Sequence, residues 1–119
     1  MITELGKELR KIRIDRNERL LEMAKALDKS TSFISAVEIG KKSPPSGFED
    51  LVIRAYQLVG AAAQRLRTAA DRSRKSFSIE PQSDLGRDTA ALFARRVDAL
   101  SAEDFQSIQE ILMKNMGEQ

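Results

Sequence analysis

The sequence predicts an all-α protein, and three observations carry that prediction. Apolar residues recur at three- and four-residue spacing through most of the chain. Ala and Leu dominate an apolar content of 41%, against one Tyr and five Phe. The periodic stretches break where helices start or stop, at Asn17, Asp28, Gly40 and Pro81. At 119 residues the chain supports one domain, or a small domain with an appendage. No apolar run approaches the ~18 residues of a membrane span. The polar opening MITELGKELRK is not a signal peptide, so a cytoplasmic protein without membrane contact is expected. With no Cys and no His, disulfides and thiolate or imidazole metal sites are excluded, as are the commonest nucleophile and base pairs. There is also no Gly-rich phosphate loop and no metal-spaced carboxylate cluster, so neither an enzyme nor a cofactor is expected.

The first helix runs from Thr3 to about Arg16. Leu5, Leu9 and Ile12 form its apolar stripe, among Lys7, Arg10, Lys11 and Arg16. Thr3 suits the N-cap, and Asn17 suits the left-handed conformation that ends many helices. Arg10 and Lys11 read equally well as phosphate contacts or as a solvated face.

Arg19 to Lys42, RLLEMAKALDKSTSFISAVEIGKK, then reads as two short helices joined by a tight turn and followed by a basic loop. Met23 and Leu27 lie one turn apart, as do Ile34 and Val37, giving two facing apolar stripes. Ala24 supplies the small residue that two closely crossing helices need. The turn falls at Asp28-Lys29-Ser30: Asp tolerates left-handed dihedrals, and the Ser30 hydroxyl can cap the next helix, which Gly40 closes. With Ile34 and Val37 inward, the opposite face carries Thr31, Ser32, Ser35 and Ala36. This is a helix-turn-helix pattern, which makes DNA the first hypothesis. No Arg, Gln or Asn projects from the centre of that face, so base readout should be sparse, with water, thymine-methyl contacts or DNA shape supplying selectivity.

On these residues the chain resembles the Xre/Cro/C1 family of phage-repressor-like domains. Ala24, the turn near Asp28, Ser30, Ile34-Ser35, Glu38 and Gly40 fall on the family's landmarks, and SFISAVEIGKK is close to typical of it. The resemblance covers roughly Leu5 to Leu58. It implies a five-helix lambda-repressor-like DNA-binding domain whose recognition helix, residues 31–39, enters the major groove. It also implies a pairing of Arg13 with Glu38 that locks the first helix to the third, and a loop in which Lys41 and Lys42 lie along the sugar-phosphate backbone. Three departures stand out: Asp28 for the usual glycine, Arg19-Leu20 for the usual Ser/Thr-Gln, and Glu18 for an apolar residue. Arg19 can then offer a different phosphate contact, and Leu20 or Leu21 can restore the apolar packing. The expected DNA contacts are Arg19, Lys29, Thr31, Ser32, Ser35, Ala36, Lys41 and Lys42, with Arg13 and Glu38 as a structural ion pair. The expected function is a transcriptional repressor that binds a palindromic operator in double-stranded DNA as a homodimer.

Lys41 to Gly47 is a loop by composition. Phe48, Leu51, Val52, Ala55 and Leu58 make a fourth helix that covers the core. Gly60 does not clearly break the pattern, and alanine-rich Ala61 to Arg74 makes a fifth helix. Leu66, Ala62, Ala69 and Ala70 are its packing residues, and Arg65, Arg67, Arg72 and Arg74 give it a basic exterior. From Lys75 to Gly86 the pattern fails. Phe77 and Ile79 alternate before Pro81, as in either a short strand or a linker.

The last third reads as a helical hairpin, with Leu85, Leu92, Phe93 and Val97 on one stripe. Phe105, Ile108, Ile111, Leu112 and Met116 form the other, behind a capping box of Ser101 and Asp104. Two such helices cannot bury both stripes by themselves. This tail resembles the C-terminal segments of antitoxin-type Xre regulators, which implies a toxin protein as an alternative partner. The expected organisation is a DNA-binding domain over 1–75, a linker or extended segment over 76–86, and a dimerisation or partner-binding segment over 87–119. Charge divides similarly. Residues 1–80 hold 16 Lys and Arg against 11 Asp and Glu, whereas 81–119 hold 4 against 7, so only the front suits a polyanion.

Overall fold

The computed structural model describes residues 1–116; Met116 closes the last helix, and its side chain lies outside the described residues. The described chain is all helical. In order it forms α1 (Glu4–Arg16), α2 (Leu20–Leu27), α3 (Thr31–Glu38), α4 (Phe48–Tyr56) and α5 (Gly60–Ser73). There follow α6 (Asp84–Arg96), a single 3₁₀ turn at Val97–Ala99, and α7 (Ala102–Met116). The chain divides into two compact units at Phe77 and Ser78.

In the first unit, α1 packs against α5 and α3, and α2 packs on α3 and α4. The core is the set of stripes read from the sequence: Leu5, Leu9, Met23, Leu27, Ile34, Val37, Val52 and Leu66 are all at most 1% exposed. Helix ends follow from residue chemistry. The Thr3 hydroxyl accepts from the Gly6 N–H at 3.0 Å, and the Ser30 hydroxyl accepts from the Phe33 N–H at 3.0 Å. Asn17 and Asp28 both take left-handed dihedrals, at φ 54° and 55°, releasing α1 and α2 into short turns. After α3, Gly40 adopts φ 80°.

Two expectations are corrected, and one alternative left open is decided. The fourth helix stops at Tyr56 because Gln57 turns left-handed at φ 53°. Tyr56 rather than Ala55 takes the buried position, and Leu58 packs from the connection beyond the helix. The helical pattern is therefore interrupted before Gly60, which opens α5. Of the strand and the linker, residues 75–80 form no strand, and Phe77 and Ile79 are exposed. Arg74 does not join the basic exterior of α5. It lies just past the helix end with its side chain 11% exposed, folded onto Glu49 and the proline loop.

In the second unit no described residue is buried. α6 opens on a Ser83 cap, whose hydroxyl accepts from Gly86 at 2.9 Å. Before α7, Ser101 and Asp104 form the anticipated box: Ser101 N–H donates to the Asp104 carboxylate at 3.0 Å, and Asp104 N–H donates to the Ser101 hydroxyl at 3.1 Å. The backbone N–H of Ser101, and after it the Ser101 hydroxyl, hold the Asp104 carboxyl below its ordinary range. Leu85, Leu92, Phe93, Ile111 and Leu112 stay exposed along the two stripes. Between α6 and α7 they line adjoining apolar grooves that share Thr89, Phe93, Ile108 and Leu112.

One close approach in the first unit was not anticipated. Thr3 uses both its backbone N–H (2.9 Å) and its hydroxyl (3.0 Å) as donors to the Glu38 carbonyl, tying the start of α1 to the end of α3. Gly6 is buried at this crossing, where a Cβ would collide with the same carbonyl oxygen. Gly6→Ala is therefore expected to lower stability by about 1–3 kcal/mol, the usual cost of overpacking. A reduced urea midpoint with an unchanged m-value checks this.

Candidate nucleic-acid interface

The site is built outward from the buried side of α3. Ile34 and Val37 anchor the helix in the core, and Glu38 at its end is 3% exposed. Burying a carboxylate requires partners, and α1 supplies them. Arg13 Nη1 meets Glu38 Oε2 at 2.5 Å and Nη2 meets Oε1 at 3.3 Å, a forked pair whose side chains are 11% and 4% exposed. Arg10 Nε adds a longer contact to Oε1 at 3.6 Å. The same Arg13 Nη1 lies 3.2 Å from Met23 Sδ, so one guanidinium spans α1, α2 and α3. The pairing of Arg13 with Glu38 is thus present, and Arg10 is drawn into it rather than left wholly to solvent.

With its back pinned, α3 turns Ser32 and Ser35 fully outward and Thr31 and Ala36 partly so. These four line an open groove of about 500 Å³ together with Leu20, Ile39 and Lys41. No carboxylate lines it. Its floor offers hydroxyls and methyl groups, and its rim one ammonium: a surface that accepts and donates hydrogen bonds without imposing a charge pattern on a partner.

The remaining candidate cations fall in two places. Lys42 does not trail away from the helix, because its backbone N–H donates to the Ala36 carbonyl at 3.1 Å and its ammonium stands 5.4 Å from the Phe33 ring centre. Lys29, from the turn before α3, stands 5.6 Å from the same ring centre. Arg19 is exposed at the N-cap of α2, where its backbone N–H donates to Glu22 at 2.8 Å, and it does not line the α3 groove. No ion pair among the described residues involves Arg19, Lys29, Lys41 or Lys42.

Two residues shape this surface in ways not expected from the sequence. Phe33 lies at the edge of the outward face, and its ring packs edge-on against buried Phe48, with centroids 5.9 Å apart. Arg74 fixes the loop that carries the lysines. It donates to the Pro44 and Pro45 carbonyls at 3.2 and 2.8 Å and grips the Glu49 carboxylate at 3.0 and 2.6 Å. The bond to Arg74 holds the Glu49 carboxyl below its ordinary range, and the bond to Glu49 holds the Arg74 guanidinium above its own. Phe33 is conspicuous in a helix of otherwise smaller side chains, whereas nothing in the sequence separates Arg74 from Arg65, Arg67 and Arg72. Glu18 also has a partner: it accepts from the Tyr56 hydroxyl at 2.7 Å. Burial, and then this bond, raise the phenol well above its ordinary pKa.

Compared with known proteins, the chain matches no family model, no curated protein and no solved structure.

Arg74→Met should cost about 3 kcal/mol, because it leaves the largely buried Glu49 carboxylate unmatched. The pH dependence follows from the lowered Glu49 pKa. Its stabilisation is fully present above the ordinary value of 4.5 and lost as pH falls through the lower folded value. The stability gap between wild type and Glu49→Gln, measured by urea unfolding, should therefore be widest near pH 7 and narrow progressively as pH falls below 4.5.

Proposed function

We propose that this protein is a DNA-binding transcriptional regulator, a repressor that places α3 in the major groove of an operator. One observation carries the reading: a helix held rigidly from behind presents Thr31, Ser32, Ser35 and Ala36 outward, free of carboxylates, with Lys41 on the rim and Lys29 and Lys42 beside it. An α-helix fits the major groove, where short hydroxyl and methyl side chains meet base edges only at close approach. The lysines flank the helix where phosphates flank a groove. The resemblance to phage-repressor-like domains at Ala24, Ser30, Ile34-Ser35, Glu38 and Gly40 supports the same reading.

Affinity in this scheme comes chiefly from cations on phosphates, and selectivity from close packing of small side chains and from DNA shape. A homodimer would present two copies of α3 to a palindrome with half-sites about one helical turn apart. The uncovered stripes of α6 and α7 supply apolar surface for such an association. The same uncovered stripes favour a second reading, in which they hold a toxin protein and the first unit represses the shared operon. A small protein co-purifying in fixed ratio with the untagged chain would support it.

The Lys41→Ala/Lys42→Ala double variant is expected to bind every duplex at least tenfold more weakly, and to flatten the dependence of log affinity on log salt by about 2. Ala36→Arg should instead change the rank order among duplexes. Fluorescence anisotropy on the protein's own upstream region and on a scrambled duplex, over a salt series, reads both. Unchanged binding by the lysine variant would overturn the proposal.

A further inference from the structure

We infer that Phe33 is a positioning residue that restrains both Lys29 and Lys42 beside α3 for contact with backbone phosphates. The inference rests on the DNA-binding reading above and adds what holds the charges in place. Lys29 comes from the turn before the helix and Lys42 from the loop after it, yet both ammonium groups stand within 5.6 Å of one ring centre. That distance is the range in which an ammonium is attracted to an aromatic face.

The ring itself is not free to follow the lysines. Phe33 meets Phe48 edge to face at 5.9 Å with an interplanar angle of 61°, and Phe48 is 2% exposed in the core. The backbones are held as well: Lys29 N–H donates to the Ala24 carbonyl at 2.9 Å, and Lys42 N–H to the Ala36 carbonyl at 3.1 Å. Core packing thus sets the ring, and the ring sets two charges that would otherwise swing on four-carbon stems.

Neither lysine has a carboxylate partner among the described residues, and both are exposed. Ammonium groups resting on a ring keep N–H donors pointing away from it, so each can still donate to an oxyanion. The adjacent α3 groove, with Lys41 on its rim, makes a nucleic-acid phosphate the fitting anion, because bases and backbone would be engaged side by side.

The test compares wild type, Phe33→Leu, Phe33→Tyr and Lys29→Ala/Lys42→Ala, the last with and without Phe33→Leu, by anisotropy on one duplex over a salt series. Phe33→Leu should weaken binding about fivefold and flatten the salt dependence, while Phe33→Tyr should stay within about twofold of wild type. The decisive result is that Phe33→Leu has no further effect once both lysines are Ala; a role confined to packing would weaken binding equally in either background. In the free protein, the ring should shift the side-chain NMR resonances of Lys29 and Lys42 upfield, and Phe33→Leu should abolish that shift. Binding by Phe33→Leu that matches wild type, or a loss that persists without the lysines, overturns the positioning role of Phe33 and leaves the DNA-binding proposal standing. Failure of wild type to bind any duplex overturns both.

Discussion

A carboxylate buried at the end of α3 is the interaction on which the first unit depends. Glu38 sits where α1, α2 and α3 meet, and Arg13 holds it with two nitrogens while touching Met23 of α2. Its own carbonyl accepts from both donors of Thr3, and Gly6 leaves the room for that approach. Such a pair need not add net stability over an apolar substitute, since desolvating both charges costs several kcal/mol. What it adds is direction. A guanidinium and a carboxylate in forked contact fix the rotation of α3 about its axis, which apolar packing of Ile34 and Val37 leaves softer. That rotation decides which side chains face outward.

From this pinned helix the surface is assembled in layers. Core residues hold α3; α3 and Phe48 hold the ring of Phe33; the ring gathers Lys29 and Lys42. On the far side, Arg74 binds the carbonyls of Pro44 and Pro45 and so fixes the loop that begins with Lys41 and Lys42. A flexible ammonium loses rotamer entropy when it meets a phosphate, and charges restrained beforehand lose less. The same economy holds for the outward face of Thr, Ser and Ala, which have few rotamers to lose.

The second unit follows a different logic. Its helices carry well-formed caps and regular apolar stripes, yet Leu92, Phe93 and Leu112 remain 55%, 44% and 61% exposed. Local signals suffice to make α6 and α7, because caps and periodicity act within a few residues. They do not supply a core, which a segment of about 40 residues rarely builds alone.

What the sequence by itself determined is therefore everything that depends on near neighbours: the all-α class, the caps at Thr3, Ser30 and Ser101, the left-handed stops at Asn17 and Asp28, the stripes that became the core, and the outward set Thr31, Ser32, Ser35 and Ala36. The pairing of Arg13 with Glu38 was reached only through resemblance to a family, since 25 residues separate its members. What the tertiary structure alone decided are meetings across greater distance or at ambiguous positions. Gln57 broke a pattern that looked continuous into Gly60, Arg74 left its basic neighbours for Glu49, Glu18 found Tyr56, and Phe33 drew in lysines from opposite ends of α3. The reason is physical. A cap or a stripe is set by spacing along the chain, whereas the choice among several arginines or lysines is set by which one the packed helices bring within reach of a partner.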